Sequence, residues 1–137
     1  MSRSGYTDDI DDLWGWIRYR GAVNSSITGK RGQDFLKELR SGLDEMEVKE
    51  LISGELETHG AVCALGVVGK NRWMNLDSFD KDSSEQVSKA FNIAKALAAE
   101  VARVNDIAEY SYRSNESNGQ RWVRVRNWVE SNIKKDK

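Results

Sequence analysis

Apolar side chains recur at helical spacing through the first third of the chain. The apolar positions in residues 9–28 lie about three or four residues apart, as on one face of a helix. The clearest amphipathic pattern follows in residues 32–46, where the apolar positions are Phe35, Leu36, Leu39, Leu43 and Met46. We therefore predict two helices, 9–28 and 32–46, which the short connection between them makes antiparallel.

The middle of the chain is apolar and less regular. Val48, Leu51, Ile52 and Leu56 predict a short third helix that ends near Gly60. The apolar run that follows, residues 60–68, has a length that suits either a buried strand or a short buried helix. Because no second convincing strand is present to pair with it, a helix is favoured, with a short strand around 61–68 as the alternative.

Two capping signals predict the remaining helices. Ser83 with Gln86 three residues later indicates a helix start, and apolar spacing then predicts one long helix to about Val104. Ser117 with Gln120 repeats the signal before a final helix. Residues 75–82 are expected to form a polar loop, residues 105–118 an exposed loop and residues 1–8 a flexible tail. The predicted fold is a single, compact, mostly all-α domain over residues 1–137, with five or six helices.

Composition narrows the classes of protein. The 137 residues are 39% hydrophobic and 31% charged, with 21 basic and 22 acidic side chains and a formal net charge of −1. This balance fits neither a nucleic-acid mimic nor a polybasic binder. A single cysteine excludes an internal disulfide and favours a reducing cytosol. No apolar stretch approaches the roughly 20 residues of a membrane span, so we expect a cytoplasmic protein with no membrane partner.

Catalytic chemistry would have to use Cys63 and His59, the only cysteine and histidine. Gly60 lies between them and the flanks of Cys63 are aliphatic, which predicts a buried, unreactive thiol. One cysteine and one histidine are too few for a structural zinc site. The glycines at 60, 66 and 69 match no phosphate-binding motif and are better explained by close approach of helices. We therefore expect no enzyme activity, no cofactor and no metal.

Two groups of side chains are candidates for binding a partner. The first helix carries aromatic and cationic residues that one face cannot bury together, namely Trp14, Trp16, Arg18, Tyr19 and Arg20. These residue types are enriched at interface hot spots, so the group predicts a protein-binding surface. A second group of cations could contact phosphates or other anions, namely Lys30, Arg31, Arg121, Arg124 and Arg126. The alternative for the first two cations is a solvated turn, and for the last three a basic outer helix face.

Several segments of the chain form a recognisable set, namely residues 1–9, Ile-Arg-Tyr-Arg-Gly-Ala-Val at 17–23, Gly-Lys-Arg-Gly-Gln-x-Phe-Leu at 29–36, Val-Cys-Ala-Leu-Gly-x-Val-Gly at 62–69 and Val-Asn-Asp at 104–106. In these segments the chain resembles small uncharacterised proteins of tailed phages and prophages of proteobacteria. The resemblance implies a setting, the cytoplasm of an infected bacterium, but no activity and no functional residues.

The leading functional prediction is a non-enzymatic interaction protein that binds a host protein complex and inhibits or modulates it. The target would be a defence or nucleic-acid-processing complex. The alternative is a nucleic-acid-binding accessory protein that uses its basic helical face. A third interpretation, a thiol enzyme centred on Cys63, predicts a thiol that reacts readily in the native state. The oligomeric state stays open.

Overall fold

A computed structural model describes residues 13–106 and 116–134. Its elements are α1 (Leu13–Thr28), α2 (Lys30–Glu45), β1 (Glu57–Thr58), β2 (Ala61–Val62), α3 (Ala64–Asn71), α4 (Ser84–Phe91), α5 (Lys95–Asp106) and α6 (Asn118–Asn132). The prediction of a compact, mostly all-α fold is confirmed, with six helices in the described residues and one two-stranded antiparallel sheet. The predicted tail and the first four residues of the first predicted helix lie outside the described residues.

The core forms where two central helices meet the others. Helix α5 packs against α1, α3, α4 and α6, and helix α2 packs against α1, α3 and α6. Phe91, at the end of α4, belongs to this core. It makes edge-to-face contacts with Phe35 and Phe79, whose ring centroids are 6.4 and 6.0 Å from its own. Leu76 and Phe79, in the loop predicted over residues 75–82, pack against this core. Within the described residues, no helix is long and apolar enough to span a membrane.

The prediction of a third helix over Val48 to Leu56 is wrong. Residues 46–56 form an irregular segment in which Leu51 and Leu56 are buried while Val48 is exposed. Gly54 has a φ of 79°, which interrupts any helix there. The backbone of this segment bonds to distant parts of the chain instead, because the Leu51 N–H donates to the carbonyl of Asn118 at 3.0 Å.

The apolar run divides into a strand and a helix. His59 and Gly60 have φ values of 51° and 86° and form the turn of a hairpin that pairs β1 with β2. The chain then enters α3 at Ala64. The run therefore contains both predicted alternatives, a short strand and a helix. The turn at His59 and Gly60 brings β1 beside β2, and the sequence pattern did not reveal β1 as a pairing strand.

The predicted long helix is two helices, α4 and α5. Asn92 follows α4 with a φ of 57°, a left-handed conformation that asparagine tolerates, and it turns the chain before α5. Helix α5 then continues through Asp106. The prediction of an exposed loop is therefore wrong for Asn105 and Asp106, which are buried, whereas residues 107–115 lie outside the described residues.

The side-chain amide of Asn105 links the end of α5 to the irregular segment and to the start of α3. Its Nδ2 donates to the carbonyl of Ile52 at 2.9 Å, and its Oδ1 accepts the Ala64 N–H at 3.0 Å. Asp106 in turn accepts the Gly54 N–H at 3.1 Å. Buried polar atoms require such partners, so this pair fixes the irregular segment against the start of α3.

The predicted capping box at the start of α6 is confirmed in both directions. The Ser117 hydroxyl accepts the Gln120 N–H at 3.1 Å, and the Gln120 side chain accepts the Ser117 N–H at 2.8 Å. At the start of α4 only half of the box forms. Ser83 accepts the Gln86 N–H, but the Gln86 side chain accepts from the backbone of Asp80 instead.

Candidate partner-binding surface

Helix α1 carries the first predicted binding group. The side chains of Trp14 and Trp16 lie outside the described part of the molecule. Arg18 is exposed, and Ile17 beside it is 48% exposed, unusually high for an isoleucine on a packed helix. They are the two largest exposed side chains of α1 in the described residues, and they define its outer face.

Two other members of this group face inward and hold α1 in place. Tyr19 is half-buried and packs against the core. The Arg20 guanidinium bonds to the Glu100 carboxylate on α5 at 3.1 Å, and the Glu100 side chain is only 5% exposed. Removing Arg20 would break this ion pair of the buried Glu100 carboxylate, which costs free energy. The role of Arg20 is therefore structural. The structure therefore separates Arg18 from Tyr19 and Arg20.

Trp73 is the most exposed large apolar side chain in the described residues, at 94%. It follows the end of α3, where its N–H donates to the carbonyl of Lys70 at 3.0 Å. The next N–H, of Met74, donates to the carbonyl of Gly69 at 3.0 Å. This pair of bonds is the Schellman motif, whose left-handed position is usually glycine. Trp73 occupies that position with a φ of 60°.

The surroundings of Trp73 are fixed by contacts of its neighbour Arg72. The Arg72 guanidinium donates to the Glu38 carboxylate on α2, with Nε 2.8 Å from Oε2. It also donates to the carbonyl of Phe91 at the end of α4, at 2.9 Å. Arg72 thus links the end of α3 to α2 and α4, so the backbone that carries Trp73 is held at a junction of three helices.

Trp73 is not among the site residues that the sequence pattern predicts. The apolar run did not reveal where α3 ends, so the residue after its last turn could not be placed. The sequence offers one signal, because Lys70 and Arg72 are typical of the end of a helix, and glycine is common just after such an end. A tryptophan at that point conflicts with the local backbone preference.

The two inward-facing arginines of α6 do not form part of a surface. Arg121 is 6% exposed and donates to the carbonyl of Leu51 at 3.0 Å. Arg124 donates to the Glu116 carboxylate at 2.8 and 3.0 Å. It also donates to the carbonyl of Asn105 at 3.2 Å and to that of Val104, so its charge lies at the C-terminus of α5. Both side chains hold α6 to the rest of the fold.

The other predicted anion-contact residues lie apart from one another. Arg126 makes a paired contact with the Asp44 carboxylate, with N–O distances of 2.9 and 3.0 Å. Lys30 bonds to Asp34 at 2.8 Å, and Arg31 approaches the Asn92 side-chain oxygen at 3.5 Å. Because Asp44 and Lys30 are 14 residues apart on α2, about 20 Å separates the two groups. The structure does not bring the five cations onto one face.

Cys63 is buried, as predicted, and precedes the first turn of α3. His59 is exposed in the hairpin turn, so the two residues do not lie on one helix. Among the described residues, no group of three or more His, Cys, Asp or Glu side chains is placed to hold a metal ion.

The glycines of α3 provide close approach, but to loops rather than to helices as predicted. A Cβ on Gly66 would lie 2.1 Å from the carbonyl oxygen of Leu56, and one on Gly69 would lie 2.5 Å from Leu76. Both neighbours belong to the irregular segments that cover α3. The close helix–helix contact involves a different glycine, since a Cβ on Gly42 of α2 would lie 2.7 Å from Val67.

No family model, no curated protein and no solved structure matches this chain.

Proposed function

We propose that this chain is an interaction protein that binds another protein, with Trp73 as the anchor of the contact. The observation that carries the proposal is a tryptophan that is 94% exposed on a left-handed backbone. Burial of such a side chain in a partner's pocket gains on the order of 4 kcal/mol before the costs of association. Tryptophan is also among the residues most often found at interface hot spots.

A rigid support strengthens this interpretation. The Schellman hydrogen bonds and the Arg72 contacts fix the direction in which Trp73 leaves the surface. Little conformational entropy of the backbone is then lost on binding, which favours affinity. The phage resemblance suggests that the partner is a bacterial host protein in the cytoplasm, which the chain would inhibit by occluding a functional surface.

Nucleic-acid binding is supported less well. Of the five cations expected to contact phosphates, Arg121 is buried and Arg124 neutralises Glu116. Arg126 and Lys30 both lie in ion pairs with carboxylates. A polyanion would have to displace these pairs, and the formal net charge of −1 supplies no long-range attraction.

The test is capture of a partner by the tagged protein from nuclease-treated bacterial lysate, read by mass spectrometry. The wild-type protein should retain one stoichiometric protein, and Trp73→Gly should lose it, with an affinity about 30-fold lower or worse. The matched control is Asn92→Gly, which changes the same left-handed position at the end of α4 and should retain the partner.

Three outcomes would count against the proposal. These are capture of the same protein by Trp73→Gly in equal amount, equal loss in both glycine variants, and no retained protein with the wild type. The outer face of α1 stays a separate prediction, and Arg18→Glu in the same assay tests it.

A further inference from the structure

A groove runs between the middle of α2 and the C-terminal end of α6, with a volume of about 560 Å³. That volume lies within the range of ordinary ligand sites. Trp73 is not among the residues that line the groove, so this is a separate surface. Its charged and apolar lining residues are Lys37, Arg40, Glu130, Ile133 and Lys134.

The charge in this groove is positive. Glu130 is the one carboxylate among the lining residues, and it already accepts from Arg40 at 3.0 Å and from Arg126 at 3.1 Å. Lys37 and Lys134 are exposed, and neither ammonium group has a carboxylate within ion-pair distance in the described residues. Asp34, one turn from Lys37, is engaged by Lys30. Lys37 and Lys134 therefore line the groove without an ion-pair partner in the described residues.

The C-terminal end of the groove is held in position by Gln33. This buried side chain accepts the Lys134 N–H at 2.8 Å and donates to the carbonyls of Asn132 at 3.0 Å and Ile27 at 2.7 Å. The backbone on either side of Ile133 is thus fixed against the α1–α2 turn. A groove that is fixed before binding loses little entropy when it is filled.

We infer that this groove binds an acidic peptide segment of another protein. The lysines at 37 and 134 match carboxylates of the segment, and Ile133, which lines the same groove, offers an apolar contact. Two lysines without carboxylate partners are too few to follow the continuous phosphates of a nucleic acid, whereas they suffice for two carboxylates of a peptide. The inference does not depend on the partner of Trp73.

The test is fluorescence anisotropy at low salt with a short fluorescein-labelled peptide in which glutamates flank one leucine. The wild-type protein should bind this probe, and the same peptide with glutamines should bind at least about tenfold more weakly. The double variant Lys37→Glu, Lys134→Glu should also weaken binding about tenfold or more.

The matched control is Lys89→Glu, Lys95→Glu, which makes the same change in net charge away from the groove and should bind the peptide like the wild type. Trp73→Gly should do so too, which separates this inference from the proposed function. Absence of peptide binding, equal loss in the control double variant, or tighter binding of an oligothymidylate probe would each overturn the inference.

Discussion

At the scale of single residues, Trp73 combines two unfavourable features. Its φ of 60° is costly for a bulky side chain, by about 1–2 kcal/mol. Its indole gains almost nothing from burial, since it is 94% exposed. Asn92 ends α4 with the same hydrogen-bond pattern but carries a residue type that tolerates this conformation. This contrast between Trp73 and Asn92 is expected if Trp73 serves binding and lowers the stability of the fold.

Replacement of Trp73 by glycine should therefore stabilise the isolated protein. We expect the free energy of unfolding to rise by about 1 kcal/mol, because the left-handed backbone is then unstrained. Urea denaturation should show a higher midpoint with an unchanged slope. Asn92→Gly should give a smaller gain, and a Trp73→Gly protein less stable than the wild type would contradict the strain argument.

At the scale of elements, a ladder of charged groups joins α2 to α6. Arg126 lies between Asp44 and Glu130, and Arg40 reaches Glu130 from the other helix. The hydrogen bond from Arg126 lowers the pKa of Asp44 below its ordinary value of 3.8. The hydrogen bond from Arg40 likewise lowers the pKa of Glu130 below 4.5. The ladder thus stabilises the helix pair only while both carboxylates are ionised.

This ladder makes the stability of the protein depend on pH in acid. A carboxyl whose pKa is lower in the folded state stabilises the fold above its unfolded pKa, and the contribution disappears as pH falls through the folded value. Asp44→Asn should lower the free energy of unfolding at pH 7 by about 1 kcal/mol, since paired surface contacts contribute at most about that much.

Urea titrations at pH 7 and at a series of values below pH 4 would measure this effect. The difference between the wild type and Asp44→Asn should narrow as pH falls below the ordinary pKa of 3.8. Glu45→Gln, which removes a neighbouring carboxylate that makes no ion pair in the described residues, is the control and should behave like the wild type at every pH. A constant difference would show that the ladder is not responsible.

At the scale of the whole molecule, one core unites the six described helices, and Cys63 lies within it. The thiol is fully buried at the point where β2 passes into α3. The irregular segment is joined to this point, since the Cys63 N–H donates to the carbonyl of Leu56 at 3.2 Å. A reagent can reach a fully buried thiol only when the core opens, so the alkylation rate of Cys63 reports that opening.

Alkylation of Cys63 by iodoacetamide should therefore be at least about a hundredfold slower in the native protein than in urea. Mass spectrometry of timed samples gives both rates. The control is Ser41→Cys in a Cys63→Ala background, which places a thiol at an exposed position of α2 and should react rapidly without denaturant. Rapid, complete alkylation of native Cys63 would instead support the thiol-enzyme interpretation.

Elements whose signals are local can be predicted from the amino-acid pattern. The 3.6-residue period of Phe35, Leu36 and Leu39 determined α2, and the reciprocal cap of Ser117 and Gln120 determined the start of α6. Burial of Cys63 followed from its aliphatic flanks. These features depend on residues within a few positions of one another, so periodicity and capping rules suffice to predict them.

Other features depend on partners that are distant in the chain, and tertiary contacts determine them. The segment over Val48 to Leu56 has helical spacing, but its backbone bonds to Val62 and Asn118 proved more favourable than a helix. Arg121 and Arg124 were predicted to lie on a basic outer face. They instead donate hydrogen bonds to the Leu51 carbonyl and to the Glu116 carboxylate within the fold. The exposure of Trp73 likewise follows from where α3 ends against its neighbours. Local pattern cannot reveal these outcomes, because each depends on the free energy of contacts between residues far apart in the chain.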